Sequence, residues 1–281
     1  MTLFEPLTSL LQGGEAHYEP FLPGIILLLP LLGFALNGFL ALRSAAGSSR
    51  AVREGRAWDP FETEPRPATH TLPSLIGPGV MLGAFVLALI NFFGAMGADL
   101  HDPVIRSYWT WIATDTLRID AAIQLDPLSL VMMLVITGVG FLIHVFSVGY
   151  MRDDPGYPRY FSYLNLFVFF MLTLVMGASY PVMFVGWEGV GLCSYLLIGF
   201  WFSDREKSDA GKKAFIVNRI GDFGFLLAMF YLFTAFGTLD FQPIMEGAPD
   251  QLTYGSGLVT AIALLFFLGA AGKSAQIPLY V

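Results

Sequence analysis

Apolar residues in this chain come in long blocks rather than at a helical or strand spacing. Seven blocks stand out, at roughly 21–42, 75–97, 127–149, 160–179, 181–202, 211–236 and 256–281. About 20 consecutive apolar residues cross the hydrocarbon core as a helix, so each block predicts a transmembrane span. The fourth and fifth are parted only by Ser179-Tyr180-Pro181, which predicts a tight helical hairpin. The seventh reaches Val281 directly after Ile-Pro-Leu-Tyr, with no polar tail, and is expected to be incomplete or broken. Two connections are long. Residues 43–73 are polar and Pro-rich and predict an irregular segment. Residues 98–126 carry two β-prone runs, Tyr108–Ile112 and Leu117–Ile123, flanking Ala113-Thr114-Asp115-Thr116. They predict a β-hairpin outside the membrane, against the alternative of an ordinary loop with interfacial tryptophans. The expected fold class is an all-α polytopic membrane protein of about seven transmembrane helices, with an external β-hairpin between helices two and three. It divides into an N-terminal two-helix segment, 1–126, and a helical module, 127–281.

Composition supports the membrane assignment. Charged residues make up 13% of the 281 residues and hydrophobic ones 55%, whereas a soluble domain carries about 25% charged residues. The single cysteine, Cys193, excludes a disulfide framework, a Cys-rich zinc site or an iron–sulfur cluster held by this chain alone, so no metal is expected here. A net charge of −7 without a basic patch argues against nucleic acid as a partner. No Lys or Arg precedes the first block, so the N-terminus is not a cleaved signal peptide.

Basic residues set the orientation. Arg43, Arg50, Arg53, Arg56 and Arg66 follow span one, Arg152 and Arg159 follow span three, and Arg205, Lys207, Lys212 and Lys213 follow span five. The opposite loops carry only Arg106 and Arg118. The positive-inside rule then places the N-terminus outside.

Four formal charges remain inside the spans: Glu188, Arg219, Asp222 and Lys273. Each costs a few kcal/mol at a helix centre on insertion scales. Structural ion pairing is the bland explanation, but a buried pair is often no more stabilising than apolar residues of the same volume. Function is therefore the favoured reading. Arg219 and Asp222 are three apart on one helix face and roughly 12–17 Å deep. Glu188 has no partner on its own helix, and a Glu188–Lys273 pair of variable separation would take up and release a proton. Counting along the helices puts Glu188 only about 10 Å in and Lys273 about 24 Å in. That mismatch calls for an earlier start to span five, a broken span seven or bridging water. His144 is the one histidine inside a span, suited either to a proton relay or to a bond with a neighbouring carbonyl. Small and polar residues crowd Gly269–Pro278 around Lys273, which predicts an interrupted helix of the kind that lines transport sites. Gly272-Lys273-Ser274 is not a phosphate loop, because Phe267 stands where that pattern needs glycine. Gly189-Val-Gly191 has no βαβ setting for a dinucleotide. Gly79–Gly83 and Cys193 are read as packing residues.

Asp126-Pro-Leu-Ser129, Gly186-Trp-Glu-Gly-Val-Gly-Leu-Cys-Ser-Tyr-Leu-Leu-Ile-Gly199, Ala214-Phe-Ile-Val-Asn-Arg-Ile-Gly-Asp-Phe-Gly224 and Gly272–Val281 together resemble the NuoL-type antiporter-like subunit of proton-pumping NADH:quinone oxidoreductase, respiratory complex I. The resemblance is close over about 126–281 and positional over the first two spans. It implies that Glu188 and Lys273 are the family's pumping pair, that Arg219 and Asp222 are its sixth-helix charges, and that His144 is its third-helix histidine. It also implies a discontinuous seventh helix, an outer hairpin, and no cofactor in this chain. FMN, iron–sulfur clusters and quinone belong to partner subunits, both membrane and peripheral, of a complex in the bacterial cytoplasmic membrane. Family members continue past Val281 into a second inverted repeat. The resemblance therefore implies an N-terminal part whose module, 127–281, is truncated and does not pump alone. The alternative is the large subunit of a multisubunit Na+/H+ antiporter, which shares the Glu and Lys positions. A third reading is a membrane anchor whose charges only fix helix register.

Overall fold

The computed structural model describes residues 18–53, 67–98, 100 and 102–280. The expectation for the first residues, and the middle of the polar connection at 54–66, lie outside the described residues. In chain order the elements are α1 (Pro23–Arg53), α2 (Pro67–Gly97), β1 (Val104–Ala113), β2 (Arg118–Leu125), α3 (Pro127–Tyr150), α4 (Tyr157–Met176), α5 (Tyr180–Ile198), α6 (Arg205–Phe236), α7 (Phe241–Gln251) and α8 (Gly257–Lys273).

The first six expected spans are present as α1 to α6, each long and apolar enough to cross a membrane. The seventh, α8, is a 17-residue apolar helix that ends at Lys273, about 25 Å of helix. The antiparallel hairpin β1–β2 stands between α2 and α3 as expected. Two elements differ from expectation. The polar connection is not irregular at its ends, since α1 runs on to Arg53 and α2 begins at Pro67. Alanine and arginine, both strong helix formers, carry α1 past its apolar block. The short helix α7 was not anticipated, because Pro243 and Pro249 mark its polar sequence as a loop.

Capping chemistry explains where the helices start. At α3, Asp126 Oδ1 accepts from the Ser129 N–H at 2.7 Å while the Ser129 hydroxyl oxygen accepts from the Asp126 N–H at 2.8 Å. This reciprocal pair satisfies two of the orphan donors at a helix start. Ser179 caps α5, with Pro181 in its first turn, which makes the anticipated tight turn after α4. Gly237 closes α6 at φ +69, a left-handed conformation that suits glycine.

The chain forms two compact units. Among the described residues, one comprises those up to Ile105 with Gln124–Val175, the other Arg106–Ile123 with those from Met176 onward. In the first, buried amides join the helices. Asn91 of α2 accepts from the Tyr18 hydroxyl and the Phe21 N–H, both at 2.9 Å, and donates to the Phe21 carbonyl. The outer faces stay apolar, with Leu28, Phe39, Leu42, Phe93, Leu142 and Phe146 all exposed, as contact with lipid requires.

In the second unit the core is Phe225, Met229, Leu232, Leu239, Ile244 and Ile262. Main-chain bonds pin its connections. The Ala178 N–H donates to Ala122 of β2 at 3.1 Å, and the Phe241 N–H donates to the Ala178 carbonyl at 3.2 Å. A cavity of about 290 Å³ lies between the hairpin turn and Thr238–Asp240. Partial burial raises the Asp240 carboxyl above its ordinary value, and the charge of Asp120 raises it further. An acid raised in the folded state is a liability while ionised, and the liability vanishes as pH falls through the folded-state value. Asp240→Asn is therefore expected to stabilise the protein at neutral pH, with the advantage closing on acidification. Thermal unfolding of both forms across pH checks this.

Candidate proton-transfer site

Three helices of the second unit bring the four intramembrane charges together. Glu188 comes from α5, Arg219 and Asp222 from α6, and Lys273 from the last turn of α8. The close approach of α6 and α8 depends on glycine. A Cβ at Gly221 would stand 3.2 Å from Gly272 Cα, and one at Gly224 would stand 2.9 Å from the Leu265 carbonyl oxygen. Small residues at such seams let membrane helices pack backbone to backbone. The seam carries the lysine to its neighbours.

The charges pair differently from expectation. Glu188 bonds to Arg219, not to Lys273. The arginine nitrogen that meets Glu188 is also 3.8 Å from Asp222 Oδ2, so Arg219 lies between two carboxylates. Its guanidinium also covers the Phe215 ring at 4.6 Å, one helical turn earlier. Asp222 is 1% exposed, and its Oδ1 accepts from the Trp187 indole N–H at 2.6 Å. Lys273 makes no ion pair among the described residues. Its ammonium donates to the Trp187 carbonyl at 2.9 Å and sits 5.5 Å from the centre of that indole. The anticipated depth mismatch does not hold, because Lys273 bonds to Trp187, the residue next to Glu188, and so meets α5 at the same level.

The interruption in α8 falls where it was expected. Ser274 follows the helix, and Ala275 adopts φ +49. The Ser274 N–H still reaches the Ala270 carbonyl at 2.9 Å, and the Gln276 N–H reaches that of Ala271 at 2.9 Å. Lys273 consequently occupies a helix C-terminus, where the aligned peptide dipoles favour a cation.

Sequence reasoning missed Trp187 and gave Gly191 no part in the site. A helical carbonyl is normally screened by the residue four positions on. Here that residue is Gly191, and a Cβ at that position would stand 2.9 Å from Lys273 Nζ. The Trp-to-Gly spacing of four was the available signal. Gly191→Ala presses only on the mobile tip of a lysine, so helix packing is expected to survive while the ammonium leaves its carbonyl. The variant should reach wild-type levels in membranes, as immunoblotting of membrane fractions checks.

His144 belongs to the first unit and has a separate network. It is fully buried. Its Nδ1 lies 2.7 Å from the Gly140 carbonyl oxygen, which only accepts, so this nitrogen carries the proton. Its Nε2 accepts from the Asn165 amide at 2.9 Å, and Asn165 Oδ1 accepts in turn from Asn37 at 3.1 Å. The carbonyl-bonded arrangement weighed from the sequence is the one observed.

Comparison with known proteins places the chain in a family. Residues 179–281 match the model described as NADH:quinone oxidoreductase/Mrp antiporter, TM, and residues 111–161 match complex I chain 5 N-terminus. Over 257 residues the chain is 39% identical to NADH-quinone oxidoreductase subunit L of Escherichia coli strain K12, covering 91% of this chain and 38% of that protein. The chain belongs to the NADH:quinone oxidoreductase/Mrp antiporter family of membrane subunits. Other members agree. Subunit L of Mycobacterium tuberculosis strain H37Rv is 45% identical over 73% of this chain and 32% of its own length. The chain spans about a third of the length of these curated relatives. The Mrp complex from Dietzia sp. DQ12-45-1b shares the fold, with TM-score 0.62 at 22% identity, over 89% of this chain and 24% of that one. Both family models include parts of the second unit, and the antiporter model covers Glu188, Arg219, Asp222 and Lys273.

Proposed function

We propose that this chain is the proton-translocating part of a membrane subunit of an NADH:quinone oxidoreductase, working within a larger translocase. The observation that carries the reading is the state of Lys273. Its ammonium sits at an interrupted helix end on uncharged atoms, close to a carboxylate network that can rearrange. A proton on Nζ is held more or less firmly according to the charge around it. With Arg219 on Glu188, Asp222 stays negative beside the lysine. Moving the guanidinium across to Asp222 would neutralise that carboxylate and free Glu188. Lys273 is the proton carrier in this scheme, Glu188 the partner that competes for Arg219, and the Arg219–Asp222 pair sets the local field.

His144 relays toward the inner side, and to do so must exchange the Asn165 amide for water. Residues 127–281 are the first part of the antiporter-like module, and 1–126 precede it as the two-helix segment. FMN, iron–sulfur clusters and quinone are assigned to membrane and peripheral partner subunits, so this chain's residues only hold and pass protons. The basic loops support an N-terminus outside, in a bacterial cytoplasmic membrane. The alternative is the large subunit of a multisubunit Na+/H+ antiporter, since the family model over 179–281 takes in both kinds of protein.

The test is Glu188→Gln, placed in the native gene and read in inverted membrane vesicles. Assembly on native gels should persist while NADH-driven acidification falls several-fold. Wild-type pumping would overturn the reading, and a sodium gradient driving protons without NADH would replace it with the antiporter.

A further inference from the structure

We propose that Trp187 is a positioning residue that holds Lys273 and Asp222 by opposite ends and keeps the two charges from joining as an ion pair. The inference rests on the proposed role of Lys273 and adds to it a residue that does not itself carry the proton.

The geometry is specific. One residue supplies a donor to the acid, 2.6 Å from Asp222 Oδ1, and an acceptor to the base, 2.9 Å from Lys273 Nζ. Its ring also presents a face to the ammonium at 5.5 Å, an attraction that adds to the carbonyl contact. The indole is fixed in place, because its ring packs 5.2 Å from that of Phe225 in the unit's core. The carbonyl is open to Lys273 only because Gly191 has no side chain.

Asp222 depends on this arrangement. Its Oδ2 has no hydrogen-bond partner among the described residues, and the nearest guanidinium nitrogen is 3.8 Å away. Without the indole donor, both oxygens of a buried carboxylate would lack a hydrogen bond. A buried charge in that position draws in a mobile donor, and because Arg219 is held by Glu188 the donor left to it is the ammonium of Lys273. Asp222 and Arg219 both act on Lys273, and the lysine's four-carbon stem can follow the carboxylate. The ammonium would then leave the carbonyl for the carboxylate and hold its proton there.

The test uses the assembled complex in inverted vesicles, with NADH oxidation and acidification read together. Trp187→Phe keeps an aromatic ring but removes the N–H. Protons moved per NADH should fall about fivefold, within the range that couplings between contacting residues span. Site-specific replacement of Trp187 by benzothienylalanine, which keeps the indole's shape but replaces N–H by sulfur, should give the same fall. It carries the test if the Phe variant does not assemble. Adding Asp222→Asn to either Trp187 variant removes the charge that captures the lysine. The double variant should pump better than the Trp187 variant alone and no worse than Asp222→Asn alone.

Normal pumping by the sulfur isostere overturns the inference, because the role then belongs to ring volume. A fall that Asp222→Asn does not relieve overturns it too. Glu188→Gln is run in parallel. If that variant pumps normally, the proton-transfer reading has failed. If it fails to pump while the Trp187 variants pump normally, only the positioning role has failed.

Discussion

Lys273→Ala is expected to lower NADH-driven proton translocation to about a tenth of wild type or below, since a positioned acid–base group commonly supplies a factor of about 10² or more. Lys273→Arg is the more informative substitution. Arginine keeps the positive charge at the end of α8 and can still donate to the Trp187 carbonyl, but its guanidinium does not release a proton in proteins. A proton carrier therefore loses function with Arg as fully as with Ala. A charge that only fixes helix register keeps it. Near-normal pumping by Lys273→Arg would return the structural-anchor reading to first place. Acidification of inverted vesicles, with the complex quantified on native gels, distinguishes the two.

The second large effect is expected at Gly224. Any side chain there begins with a Cβ 2.9 Å from the Leu265 carbonyl oxygen and 2.9 Å from Leu268 Cδ2. The carbonyl belongs to a helix backbone and cannot swing aside as a lysine tip can. Gly224→Ala should cost about 1–3 kcal/mol, the usual range for overpacking. Gly224→Leu should force α8 away from α6 and prevent accumulation of the folded subunit. Thermal unfolding in mild detergent reads the first, and the level of assembled complex reads the second. Survival of Gly224→Leu at normal levels would show that the seam yields more readily than its geometry implies. The contrast with Gly191→Ala is instructive, because both glycines face contacts near 2.9 Å and only one of those neighbours can move.

Spans and breaks were legible in the sequence because the bilayer imposes them. Blocks of about 20 apolar residues have few alternatives, and Asp126 and Ser179 sit at helix starts that side-chain chemistry dictates. The hairpin was visible in its aromatic and β-branched runs. The site's members were visible for a similar reason, since an ionisable residue in a span needs an explanation. Their pairing was not visible. Depth along a helix can be counted, but rotation about the axis and the reach of a long side chain cannot. Arg219 spans from α6 to Glu188 on α5 across that unread dimension. Trp187 escaped notice because an aromatic residue in a span has an ordinary explanation as packing, and its acceptor for Lys273 is a main-chain atom. The helical ends of the polar connection, and α7, were obscured by proline and polar composition, which mark loops on average but do not prevent a helix.

The end of α8 also bears on where water can stand. A helix terminus leaves carbonyl groups without intrahelical donors, and hydrocarbon offers none. Ser274 and Gln276 supply donors to Ala270 and Ala271, and the rest of that exposed turn, through Pro278, carries further peptide groups. The same break that ends the helix therefore leaves peptide groups next to Lys273 that hydrocarbon cannot satisfy and that only water or another polar partner can.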